Sequence, residues 1–248
     1  MNTAGREILQ HLTNVEQLRA ERAADKMLGE RVAAVKAYQA LRFSRSYADL
    51  LQHPRYQGAT RFFLEDLYGP QEFGARDAQF ARVVPALVRM FPEDIVATVA
   101  ALGALHALSE SLDSDMARHA ELPPIDASTY VRLWQATGRP EARQQQVNLT
   151  IRIGKALERY TRNPVLRGTL RMMRGPARAA GLGDLQRFLE HGFDTFGAMR
   201  GAAEFLDTIQ AREEALARAL FDSGAITLAT ALASGTSTAA ASPLGQLP

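Results

Sequence analysis

The sequence predicts an all-α protein, a compact multi-helix bundle of about eight or nine helices. Apolar residues recur three and four positions apart along nearly the whole chain. Proline and glycine punctuate it at intervals of one helix length. No alternating run is long enough to make a strand. With 248 residues, 46% hydrophobic and 23% charged, the composition is that of a folded chain with a substantial core.

The elements follow in order. Ile8, Leu12 and Val15 repeat at helical spacing, as do Leu28, Val32 and Val35, until His53-Pro54 stops the run. Tyr56, Ala59, Phe63 and Leu67 share the next face, which ends at Gly69-Pro70. Asp77 is an expected N-cap for a helix carrying Phe80, Val84 and Leu87, with Pro85 expected to kink or split it. Pro92 opens a central helix whose first turn holds Glu93 and Asp94. Beyond a Leu122-Pro123-Pro124 break, Asp126 or Ser128 caps a helix through Trp134. Pro140 starts a long one carrying Val147, Thr150, Gly154 and Leu157. Asn163-Pro164 introduces a shorter helix, and Asp184 caps the last, running toward Leu220. Residues 1–52 are read as an N-terminal helical extension, 53–221 as the helical core domain, and 222–248, rich in Ala, Ser, Thr and Gly, as a disordered tail.

The absence of cysteine excludes disulfides, thiolate zinc sites and cysteine nucleophiles, and fits a reducing compartment. The N-terminus lacks the apolar stretch of a signal peptide. No run approaches the roughly 18 unbroken apolar residues of a membrane span. A cytoplasmic protein is expected. Walker, dinucleotide-binding, His-Glu-x-x-His and nucleophile-elbow motifs are all missing.

The run Phe62-Phe63-Leu64-Glu65-Asp66-Leu67-Tyr68 resembles the signature of an uncharacterised bacterial family known by its FFLEELY motif, with Asp66 where the family has glutamate. Arg174-Gly175-Pro176-Ala177 and Leu185 through Glu190 are similar to that family as well, and the resemblance covers most of residues 56–213. It implies no activity, so no catalytic residue follows from it. Physically the run is an aromatic helix face with two adjacent acids, which suits core-filling rings and arginine-paired carboxylates. Consecutive helical carboxylates do not converge on one substrate atom.

Two groups of residues could carry chemistry. His106, Glu110 and Asp113 extend the apolar stripe of Ile95, Val99 and Leu102, so an imidazole and two carboxylates fall on a core-facing side. Such groups need partners when buried. His106 bonded to Glu110 is one reading; a metal held by His106, Glu110 and Asp113, or a haem, is another, although the Glu-x-x-His pairs of di-iron bundles are absent. Glu190-His191 of the late helix is a second potential contributor, of which at most one faces a site formed with His106, because adjacent helical residues point apart.

The other group is basic. The chain holds 26 Arg against 3 Lys, a bias that fits either a GC-rich genome or selection for bidentate anion contacts. Between Arg152 and Arg178 the net charge is +7, in a chain whose total is +2. Arg159, Arg162, Arg167, Arg171, Arg174 and Arg178 are the candidate anion-binding residues. The expected partner is an anionic ligand, protein or nucleic acid; pairing within the fold and attachment to anionic lipid are the alternatives. The preferred expectation is a non-enzymatic binding protein, and the runner-up a metal- or haem-binding one.

Overall fold

The computed structural model describes residues 3–67, 73–121, 124–235 and 242–248. Among these residues every regular element is helical. Helices α1 (Thr3–Ala24) and α2 (Lys26–Ser46) are separated by Asp25, whose carboxylate accepts the Leu28 N–H at 3.1 Å and caps α2. Short α3 (Ala48–Gln52) and α4 (Gln57–Phe62) follow, and α4 continues into a π-helical turn, Phe63–Leu67. Next come α5 (Gly74–Met90), α6 (Glu93–His119), α7 (Ala127–Thr137), α8 (Pro140–Thr161), α9 (Pro164–Met172), α10 (Arg174–Ala179), α11 (Gly183–Ala198), α12 (Ala203–Phe221) and α13 (Ala225–Ala233). A 3₁₀ turn, Pro243–Gln246, ends the chain. Tyr68, Gly69-Pro70 and Leu122-Pro123 lie outside the described residues.

Thirteen α-helices among the described residues exceed the expected eight or nine. Three of them, α3, α4 and α10, have six residues or fewer and are too short to display a periodic stripe. The expected run from Asp184 to Leu220 is also cut in two. Arg200 and Gly201 take positive φ values of 52° and 129°, and the freed carbonyls of Met199 and Gly201 accept from the Arg55 guanidinium at 2.7 and 2.8 Å. By contrast, Pro85 does not split α5: it is exposed, so the carbonyl that loses its partner can be hydrated. Asp77 is not a cap either, since α5 starts at Gly74 and turns Asp77 inward.

Helix α6 is the axis around which α1, α2, α7 and α8 are arranged. It is also the one single helix among the described residues that is long and apolar enough to cross a membrane. One core region joins Ile8 and Leu12 of α1 to Val84 and Val96. A second is aromatic: Phe62 and Phe63 of the FFLEDLY run meet Tyr56, Phe196 and Phe205. Phe62 packs so closely on α11 that a Cβ at Gly192 would stand 2.8 Å from its ring. The acids of that run do not meet arginines as salt bridges; Asp66 accepts from His191 Nδ1 at 2.8 Å instead.

The third core region corrects the expectation of a disordered tail. Residues 225–233 form α13, and Ala225, Ala229, Leu244 and Leu247 are buried with Val32, Val35, Tyr130, Trp134 and Leu220. Arg45 Nη1 donates to the Leu247 carbonyl at 2.9 Å, tying the end of the chain to α2. Small Ala, Ser and Thr residues read as a loose tail because each buries little alone; here they let a helix approach α7 closely. Leu244→Ala is expected to cost about 2–4 kcal/mol in urea unfolding, by the usual penalty for truncating a buried leucine. An unchanged midpoint would mean that the segment does not contribute to the core.

Candidate functional site

The polar residues of the interior are continuations of apolar helix stripes. In α1, Ile8, Leu12 and Val15 are followed two turns later by Arg22; in α2, Val32, Val35 and Tyr38 lead to Arg42. In α8 the stripe of Thr150 and Gly154 extends backward to Arg143. All three arginines are buried, as are Glu110 and Asp113 of α6.

Their pairing is uneven. Glu110 accepts from Arg22 Nη2 and from Lys36 Nζ, both at 2.6 Å. Burial alone would raise its pKa, but Lys36 and then Arg22 overcome it and hold the carboxyl down at about 2. Asp113, one turn further on, accepts only from Gln39 at 3.1 Å, and burial raises its pKa. Arg42 donates to Glu213 at 2.5 Å, and the Tyr47 hydroxyl donates to the same oxygen at 2.6 Å. Burial works against the charge of Arg42, yet Glu213 brings its pKa above the ordinary value.

Arg143 has no carboxylate among the described residues within salt-bridge distance. It is 4% exposed, and its guanidinium lies over the Trp134 ring, 3.8 Å from the centroid. One Nη reaches Gln146 Oε1 at 3.4 Å and the other the Met116 sulfur at 3.0 Å. Its Nε, the Trp134 Nε1, the Tyr130 and Tyr38 hydroxyls and Arg42 Nε are all buried without a hydrogen-bond partner among the described residues. Tyr130 stacks on Tyr38 with ring centroids 4.6 Å apart, which fixes both rings. Burial keeps both phenols protonated.

These groups surround a cavity of about 70 Å³ between α2, α7, α8 and α12. Arg42, Arg143, Tyr130 and Trp134 form its polar side; Phe43, Phe63, Leu64 and Phe205 form its apolar side. Of the charged side chains that line the cavity, Arg42 and Arg143 face one carboxylate, Glu213, which is bonded to Arg42. Arg143 is left without a carboxylate within salt-bridge distance among the described residues, and burial lowers its pKa against the pull of Tyr130 and Asp113. Burying an unpaired guanidinium costs several kcal/mol, and arginine does not escape by losing its proton.

The sequence candidates are distributed differently from expectation. His106 is bonded through Nε2 to Asp77 at 2.8 Å, not to Glu110, because α5 turns Asp77 toward α6. No group of three or more His, Asp or Glu among the described residues is placed to hold a metal ion, so His106, Glu110 and Asp113 do not form a ligand set. His191 goes to Asp66. Of the surface arginines, Arg162 pairs with Glu158, Arg167 with Asp194 and Arg174 with Glu190, each at 2.6 Å, while Arg159 stands 3.9 Å from Asp94. Arg171 and Arg178 form no salt bridge among the described residues. The sequence reading missed Arg42, Arg143, Tyr130 and Trp134, although the arginines on core stripes were there to be noticed.

Residues 18–225 match the family model described as "Domain of unknown function (DUF8198)". The chain belongs to that family. The matched span takes in every residue named around the cavity, from Arg22 to Glu213. Neither curated proteins nor solved structures give a match. The family carries no assigned function, so the chemistry has to be argued from the site.

The opposite shifts of Glu110 and Asp113 predict opposite behaviour in acid. Glu110 stabilises the fold fully above its ordinary pKa of 4.5, and that contribution is lost as pH falls toward 2. Glu110→Gln is expected to cost about 3–5 kcal/mol at pH 7, since it strands Arg22 and Lys36, and to flatten the acid limb of the stability curve. Asp113 is easier to bury protonated, so Asp113→Asn is expected to be neutral or stabilising at pH 7 and to lose that advantage as pH falls. Chemical denaturation between pH 2 and 8 reads both; parallel curves for the two variants would contradict the assignment.

Proposed function

We propose that the protein is a binding protein for a small organic anion, held in the cavity between α2, α7, α8 and α12. The observation that carries this reading is Arg143, a buried guanidinium with no carboxylate within salt-bridge distance among the described residues, above a cavity where Trp134 and Tyr130 present donors without a partner among those residues. A carboxylate or phosphate monoester supplies the missing charge and accepts from several donors at once. The aromatic wall suits an apolar body attached to that head group. Phe63 and Leu64 lie on this wall, and they belong to the run that resembles the bacterial FFLEELY signature, which gives that run a role in shaping the ligand site. With room for about five water molecules, the cavity suits a small ligand. No observation of comparable weight favours the metal or haem reading.

Thermal unfolding in the presence of benzoate, hexanoate and phenyl phosphate, with benzamide and hexanol as neutral controls, tests the proposal. The anions are expected to raise Tm in the wild-type protein and the neutral molecules to leave it unchanged. Arg143→Met should abolish the response while being at least as stable as wild type without ligand, because it removes a buried unpaired charge. No response from the wild-type protein to any anion, or a Met variant that still responds, would overturn the reading.

A second reading rests on the surface of α9 and α10. Val165, Met172 and Met173 are 71, 79 and 48% exposed beside the unpaired Arg171 and Arg178. An apolar strip edged by arginines suits an acidic protein partner better than nucleic acid, for which stacking aromatics are missing. Arg171→Glu combined with Arg178→Glu should leave stability within about 0.5 kcal/mol of wild type and remove salt-sensitive binding to poly-glutamate. Equal binding by variant and wild type would remove this reading.

A further inference from the structure

A second cavity, of about 120 Å³, lies on the other side of α6, between α1, the π turn, α5, α6 and α11. Its walls are mostly Leu, Val and Phe, including Leu12, Phe80, Leu102 and Phe188. Four polar side chains interrupt that lining: Arg76, Asp77, His106 and Ser109.

Two of the four are held by other groups of the fold. Asp77 Oδ2 accepts from His106 Nε2 at 2.8 Å and from Arg19 Nη2 at 2.6 Å, and its Oδ1 faces Arg76 Nε at 3.8 Å. Burial opposes the charge on Asp77, but His106 and Arg19 hold its pKa below the ordinary carboxylate value. Arg76 lies against the rings of Phe73 and Phe188 and donates to the Asp66 carbonyl at 2.7 Å. Besides the imidazole, the charged side chains of this lining are Arg76 and Asp77, one of each sign, so the lining, unlike that of the first cavity, is balanced.

The remaining two are half-engaged in complementary ways. His106 Nδ1 has no hydrogen-bond partner among the described residues, and in the tautomer whose Nε2–H points at Asp77 it carries a lone pair. Ser109 Oγ accepts from Gln146 Nε2 at 2.8 Å, and its own O–H hydrogen has no acceptor among the described residues. The two residues are three apart on α6 and so face the same way. No hydrogen bond joins them, so they are not coupled as a nucleophile and its base. Together they offer one acceptor and one donor in an apolar, charge-balanced space. A hydroxyl group, which donates once and accepts, satisfies both.

We propose that this cavity binds a neutral, compact apolar molecule bearing a single hydroxyl, a phenol or a cyclic alcohol, whose O–H donates to His106 Nδ1 and accepts from Ser109. Asp77 is a positioning residue here: it fixes the imidazole tautomer and touches no ligand. A cavity of roughly 150 Å³ is known to accept a benzene ring, so a ring of that size sets the scale.

Calorimetric titration of the full-length protein with phenol, and with toluene as the isostere lacking the hydroxyl, tests the site. Phenol is expected to bind about tenfold or more tightly than toluene, the difference a pair of buried hydrogen bonds makes. Ser109→Ala and His106→Leu should each bring phenol down toward toluene without weakening toluene itself. Should His106→Leu fail to fold, the serine variant carries the test alone. Arg143→Met, which removes the guanidinium proposed to hold the anion in the first cavity, should leave phenol binding unchanged. The proposal is overturned if toluene equals phenol, if neither binds, if Ser109→Ala keeps the full preference, or if Arg143→Met abolishes phenol binding.

Discussion

Glu110 is the point at which the N-terminal helices are fastened to the rest of the protein. It projects from the middle of α6 and takes Arg22 from α1 on one oxygen and Lys36 from α2 on the other. Because all three groups are largely screened from water, none can be withdrawn without stranding the others. The register of α1 and α2 against α6 is fixed by that requirement as much as by Ile8, Val15 and Val35. Everything further along α2, including Gln39 and Arg42, takes its position from this clamp.

The same economy of charge explains why the two cavities differ. On the α8 side, Arg143 has no carboxylate within salt-bridge distance among the described residues, and the donors of Trp134 and Tyr130 add to the demand for an acceptor. On the α5 side, Arg76 lies beside Asp77, and His106 and Ser109 offer an acceptor and a donor. The two cavities thus differ in electrostatic character although both are walled by leucine and phenylalanine. A fold with thirteen short and medium helices provides such spaces naturally, because helices that cross at varied angles leave gaps that side chains must shape.

Much of this was legible in the sequence, for reasons that differ by element. The helical class followed from periodicity, and Asn163 and Asp126 announced their helices through side-chain caps that the structure contains. The helix count was not legible: α3, α4 and α10 are shorter than the window a periodic pattern needs, and the break at Arg200 depends on Arg55, far away in sequence. The tail was misjudged because composition reports how much each residue can bury and not what it meets; Leu244 finds Tyr130 and Leu220 waiting. His106 stood out correctly as an inward-facing imidazole, but its partner came from α5, where Asp77 looked like a cap. Long-range pairing is the quantity a single sequence hides, and the contacts His106–Asp77, Ser109–Gln146 and Arg42–Glu213 are of that kind.

Gln146 lies between the two spaces. Its oxygen points to Arg143 in one, and its NH₂ group points to Ser109 in the other. A carboxamide cannot be turned end for end without presenting donors to a guanidinium, so its two ends are held in a single sense. The amide therefore acts as a shared wall with a polarity.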